Sequence, residues 1–109
     1  MDLDQVKQPL SRFVEKASQS IKVDEVIIFG SYLEGNATEE SDIDVFIISN
    51  DFQKMTFENR LKVLDTAADG IRPVVQAWGH TSEELKSASH LTLLGYARDN
   101  GLHYHPSVL

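Results

Sequence analysis

Two short β-branched runs do most to restrict what this chain can become. "DEVIIFG" (24–30) and "DIDVFIIS" (42–49) are apolar, rich in Val and Ile, and too short for buried helices. Each reads as a buried strand, and the first stops on a glycine. A polar stretch of eleven residues, 31–41, separates them. The chain is therefore expected to contain a small sheet in which two adjacent strands flank one Gly- and Ser-containing loop.

The remaining chain supplies helices to cover that sheet. Val6, Leu10, Phe13, Val14, Ala17 and Ile21 follow one helical face, and Pro9 predicts that the regular helix begins close to it. Thr56 is a good N-cap for a helix carrying Phe57, Leu61, Leu64 and Ala68 and ending at Gly70. "IRPVVQAW" (71–78) reads as a third strand, placed by Pro73 near an edge or starting late. Thr81 and Glu84 form a T-x-x-E capping box, Leu91 to Asn100 read as a further helix stopped by Gly101, and "LHYH" (102–105) reads as a short last strand. The order implies a small α/β or α+β fold, a mixed sheet with helices mainly on one side, in a single domain over 1–109.

Composition removes several functions. The net charge is −7, from 17 acidic and 10 basic residues. Such a chain does not accumulate on DNA or RNA by counterion release, so no direct nucleic-acid partner is expected. Small nucleotides stay open, because metal ions can bridge them to carboxylates. No apolar run is long enough to span a bilayer, and the start has no signal-peptide pattern. The absence of cysteine suits a reducing cytoplasm.

The chemistry lies in "FGSYLEGNATEESDIDV" (29–45). Gly30 and Ser31 end a strand and open a helical turn, where backbone N–H groups and a hydroxyl favour phosphate. The alternative is that Ser31 and Glu34 are simply an S-x-x-E capping box. Asp42 and Asp44 are two apart on a strand, so both face one way, with Cα atoms roughly 6.6 Å apart. Two like charges on one face repel unless a cation lies between them. Ile43 and Val45 point the other way, into the core. "GS", ten residues, then "DID" joins a phosphate cradle to a metal grip, which is what a Mg²⁺-chelated nucleoside triphosphate requires.

Gly30-Ser31, Gly35 and Ser41-Asp42-Ile43-Asp44-Val45 resemble the signature of the DNA polymerase beta nucleotidyltransferase superfamily. The chain length is similar to its smallest branch, the minimal nucleotidyltransferases, often found in prokaryotic toxin–antitoxin pairs. "TSEELK" and "ARDNGLHYHP" also resemble that branch. The resemblance implies that Gly30, Ser31, Gly35 and Ser41 bind the nucleotide and that Asp42 and Asp44 bind Mg²⁺. It further implies transfer of AMP from ATP to a hydroxyl of a partner, a helical HEPN-type toxin, with this chain as antitoxin. The family's third carboxylate would stand on the 71–78 strand, where no residue is acidic. Gln76 stands in that place, with Val74 the other candidate; an amide is no general base. Two alternatives remain open: a catalytically weak module that neutralises a partner by contact, and transfer to a small molecule.

Other polar residues read more plainly. His103 and His105 alternate on the last strand without a third ligand nearby. Trp78 reads as core, and Arg72 could reach phosphates or an acidic neighbour. Glu39-Glu40 read as a solvated loop tip, and Lys54 and Arg60 as surface charges.

Overall fold

The computed structural model describes residues 4–38 and 40–109. Nine elements are used below: α1 (Asp4–Ala17), β1 (Glu25–Phe29), α2 (Ser31–Glu34), β2 (Ile43–Ile48), α3 (Phe57–Ala68), β3 (Val75–His80), α4 (Ser82–Ser87), α5 (Leu93–Asn100) and β4 (Leu102–Tyr104). The strands form one mixed sheet in the order β3-β2-β1-β4. β1 is antiparallel to β2 and β4, and β2 is parallel to β3. The two β-branched runs are thus the central strands, buried on both faces, which explains their near-continuous apolar character.

Alternation along β2 divides the core in two. Ile43, Val45 and Ile47 face α1 and α3, where Leu10, Phe13, Phe52 and Leu64 complete the larger cluster. Phe46 and Ile48 face the other way and pack with Ile27, Phe29 and Ala97 beneath α4 and α5. Helices therefore cover both faces, which corrects the expectation of helices mainly on one side. One further correction concerns Pro9, whereas Pro73 acts as expected. α1 already includes Asp4 and runs through Pro9, which is buried. β3 begins only at Val75, because residues 71–74 form an irregular segment containing Pro73. Its edge position agrees with the sequence reading. No described helix is long and apolar enough to cross a membrane.

Arg60 is the largest departure. Expected on the surface, it is 4% exposed. Its guanidinium donates to both Glu84 carboxylate oxygens at 2.7 and 3.2 Å and to the Gly79 carbonyl at 3.2 Å. It also lies 4.5 Å from the Phe57 ring centroid. Glu84 in turn completes the expected capping box of α4 with Thr81. One arginine thereby ties α3, β3 and α4 together. Lys54, by contrast, is exposed as expected.

The Arg60 hydrogen bonds, and then the Thr81 N–H, draw the Glu84 carboxyl down to about 2 against the opposing effect of burial. A depressed carboxylate stabilises the fold fully above its unfolded value near 4.5 and loses that contribution as pH falls toward 2. Glu84→Gln should destabilise the protein by about 2 kcal/mol at neutral pH. That is less than the ~3–5 kcal/mol of a fully buried pair, because water reaches part of the Glu84 side chain. Urea unfolding of both proteins at pH 7 and near pH 2.5 should show a full gap at the first pH and a much smaller one at the second.

Candidate active site

Strand register assembles the site. Phe29 pairs with Asp44 across β1 and β2, and Asp44 pairs with Gln76 across β2 and β3. Directly opposed residues share a face, so Asp44 and Gln76 point the same way. Asp42 lies one residue before β2 and is partly buried. The Ile43 N–H donates to the Val74 carbonyl at 2.8 Å, which closes the start of β2 onto the segment leading into β3. Gln76 is exposed. Of the two residues considered for the third-carboxylate place, the row beside Asp44 contains Gln76, not Val74.

Below that row lies an aromatic floor. Phe29 and Phe46 stack at 4.7 Å between centroids, and Trp78 tilts against both at 5.9 Å. Trp78 is therefore core, but in mid-strand and only partly covered. This apolar ground removes water from Asp44. Burial first, and the Asp42 charge second, raise the Asp44 carboxyl above its ordinary range.

Gly30 has φ 79° and ψ −152°, a region essentially confined to glycine. A Cβ there would run into the Asp44 carboxylate. Glycine thus permits the β1–α2 backbone to approach the aspartate. α2 is a single turn closed by Gly35 at φ 79°, whose N–H donates to the Ser31 carbonyl. Ser31 occupies the first helical position rather than the cap, and α2 has no side-chain cap hydrogen bond. The capping-box alternative for Ser31 and Glu34 is thereby overturned: Gly30 takes the cap position and leaves the Ser31 hydroxyl outside the cap. Ser41 turns inward on its own loop, its Oγ accepting from the Thr38 N–H at 2.8 Å, just before Asp42.

Beside Asp42 opens a cleft of about 430 Å³ lined by Glu40, Ser41, Asp42, Arg72, Pro73 and Val74. Arg72 is exposed there and donates to the Ile71 carbonyl. Glu40 is exposed at the loop tip, and Glu39 lies outside the described residues. The two histidines take separate partners: His103 bonds Glu25 and the Arg98 carbonyl, and His105 bonds Ser107.

Does this donor set fit a divalent cation? Two adjacent carboxylates, with the charge on Asp44 disfavoured by burial and by Asp42, are a site that a cation would relieve. A buried phenol oxygen, that of Tyr32, has no hydrogen-bond partner, and the Asp42 charge acts on this phenol. Among the described residues no cluster of three or more His, Cys, Asp or Glu forms a complete metal cage. The remaining ligands would come from the Gln76 amide oxygen or from substrate phosphates, the usual arrangement for Mg²⁺. The residues fit a cation delivered with a nucleotide. Sequence reasoning missed Tyr32, because an aromatic in a short helix carries no signal of an unpaired hydroxyl.

The nucleotidyltransferase domain model matches residues 10–89, well over half the chain, and that span contains Gly30, Ser31, Gly35, Ser41, Asp42, Asp44 and Gln76. The chain belongs to the nucleotidyltransferase domain family. It is 30% identical over 63 residues to a putative protein adenylyltransferase of Methanocaldococcus jannaschii, a match covering 58% of this chain and 63% of that relative's length. A crystal structure of a putative nucleotidyltransferase from Sulfolobus solfataricus superposes with a TM-score of 0.63 and 23% identity, covering 79% of this chain and 76% of that one. That likeness shows the shared fold.

Two substitutions test the geometry. Because the Asp44 carboxyl is raised, its ionised form works against folding, so its contribution is favourable only in acid and is lost as pH rises. Metal-free Asp44→Asn should therefore unfold at a higher temperature than the wild type at neutral pH, and the difference should close as pH falls below 4. Gly30→Ala should do the opposite, losing about 1–3 kcal/mol from backbone strain alone, measured by urea unfolding.

Proposed function

We propose that residues 1–109 act as a transferase domain that moves AMP from Mg²⁺-ATP to a hydroxyl of a partner protein. The observation that supports this most is the row Phe29–Asp44–Gln76, flanked at one end of the sheet by Gly30-Ser31 and Asp42. The family membership makes a nucleoside triphosphate the substrate class. A protein acceptor is supported by the name of the M. jannaschii relative. The resemblance to the minimal branch supports a small helical HEPN-type toxin as that acceptor, with this chain as its antitoxin in the cytoplasm.

In this reading Ser31 and the glycine-framed α2 receive the β- and γ-phosphates. Asp42 and Asp44 would hold Mg²⁺, which when bound offsets phosphate charge and orients the triphosphate. Ser41 keeps the loop ahead of Asp42 closed. The acceptor oxygen attacks the α-phosphorus, the bond to the bridging oxygen breaks, and pyrophosphate leaves on the opposite side. The attacking and leaving oxygens lie roughly in line, so with pyrophosphate toward Ser31 the acceptor approaches from the β3 side, past Gln76. The amide of Gln76 can orient that hydroxyl but cannot take its proton, which passes to water.

Gln76 also favours a second reading, in which the domain holds its partner without turnover. General-base catalysis contributes about 10²–10⁴-fold, so its loss leaves a slow enzyme or a binder. Both readings meet one experiment: incubation with the partner, ATP and Mg²⁺, followed by intact-mass measurement of both chains. AMP attachment that vanishes in Asp42→Asn with Asp44→Asn supports transfer. Toxin neutralisation that survives this double substitution, with no mass change, supports contact alone. Gln76→Glu should raise the transfer rate by at least about tenfold; a robust wild-type rate unaltered by this change would show that the reaction never lacked an acid.

A further inference from the structure

The cleft beside Asp42 includes a wall that the nucleotide reading does not use. Residues 71–74 build it, and they are held between two buried anchors. Ile71, 1% exposed, donates its N–H to the Ala68 carbonyl at 3.1 Å, and Val75, 4% exposed, opens β3. The bond from the Ile43 N–H to the Val74 carbonyl ties the same segment to β2. Arg72 is thus carried on fixed backbone while its side chain stays exposed. It differs from Arg60 and Arg98, each of which holds a carboxylate. Arg72 shares its cleft with Glu40 and Asp42 and forms an ion pair with neither; among the described residues its hydrogen bond goes to the Ile71 carbonyl at 3.0 Å. A guanidinium has five N–H donors in a planar fork that matches a carboxylate, so most of this fork remains for a ligand.

Strand order decides which ligand that is. The sheet runs β3-β2-β1, Gly30-Ser31 follow β1, and Arg72 precedes β3. The aspartates of β2 therefore stand between the phosphate-side turn and Arg72. In an in-line transfer the attacking and leaving oxygens are on opposite sides of the phosphorus. With pyrophosphate toward Ser31, an anion on the Arg72 side belongs to the acceptor and not to the leaving group. Building on the proposed function, we infer that Arg72 is a specificity-determining residue that takes a carboxylate of the acceptor protein, an Asp or Glu side chain close to the hydroxyl that receives AMP. Pro73 and Val74 give the same cleft an apolar lining for the neighbouring part of that segment. The domain's net charge of −7 repels acidic segments at long range, so a local cation is what seats one here and fixes its direction.

The probes are two short labelled peptides with a central tyrosine, one flanked by glutamates and one by lysines. Their binding is measured by fluorescence anisotropy at physiological ionic strength, with Mg²⁺ and a non-hydrolysable ATP analogue present. The wild type should bind the glutamate peptide at least about fivefold more tightly, the scale of one solvent-touched ion pair. Net charge alone would favour the lysine peptide, so the background works against this result. Arg72→Gln should erase the preference, and Arg72→Lys, which keeps the charge and loses the fork, should retain part of it. Calorimetric affinity for the Mg²⁺-bound analogue should be the same in Arg72→Gln as in the wild type. Equal binding of the two peptides, binding of neither, or a preference that survives Arg72→Gln would overturn the inference and leave the proposed function in place. Weaker binding of the Mg²⁺-bound analogue by Arg72→Gln would also overturn it, because the arginine would then serve the nucleotide. Failure of the wild type itself to bind the Mg²⁺-bound analogue would remove the nucleotide reading and this role with it.

Discussion

The carboxylate of Asp44 sits at the middle of a three-strand row, on an aromatic floor, against a backbone that only glycine can bring so close. Much else about the structure follows from keeping it there. β2 must present Ile43, Val45 and Ile47 to one core and Asp44, Phe46 and Ile48 to the other face, so a slip of one residue would drive the acid into the larger core. β1 must end at Phe29 so that Gly30 can turn. β3 must lie parallel to β2 in a register that sets Gln76, and not Val74 or Val75, beside the acid.

The sequence was most legible where periodicity and turn chemistry agreed. The two central strands, the helix capped by Thr56, the α4 capping box and the stop at Gly101 all appear close to their expected places. It was least legible where a long-range contact decides. Nothing local to Arg60 announces that Glu84, 24 positions on, will draw its guanidinium inside, nor that Phe57 will lie against it. Pro9 signals a helix start because its missing donor is harmless there, yet α1 runs past it with Pro9 buried. The Ser31 cap was plausible on spacing alone; the positive φ of Gly30 shifted the cap by one residue. The register sets Asp44 opposite Gln76, while Asp42 lies one residue before β2 and outside that register. Tyr32 went unnoticed because an orphaned hydroxyl is a property of three-dimensional packing.

The functional account rests on imbalance as well as on likeness. Burial and the Asp42 charge disfavour the ionised form of Asp44, and the buried Tyr32 hydroxyl has no hydrogen-bond partner among the described residues. A carboxylate whose ionised form is disfavoured is one that a bound cation would relieve. Elsewhere several charged groups are paired: Arg60 with Glu84, Arg98 with Asp99 and three carbonyls, His103 with Glu25. Family membership then says which class of chemistry such a site performs, and Gln76 marks where this chain departs from an all-acid arrangement.

The most direct test is the titration of Asp44 itself, followed by carboxyl-carbon NMR in the metal-free protein and again with saturating Mg²⁺ and a non-hydrolysable ATP analogue. The account predicts a midpoint above the ordinary carboxylate range in the first state and well below it in the second, because a bound cation favours the ionised form. An Asp44 midpoint that does not move on adding Mg²⁺ and nucleotide would contradict the claim that this carboxylate is there to hold a metal-chelated triphosphate.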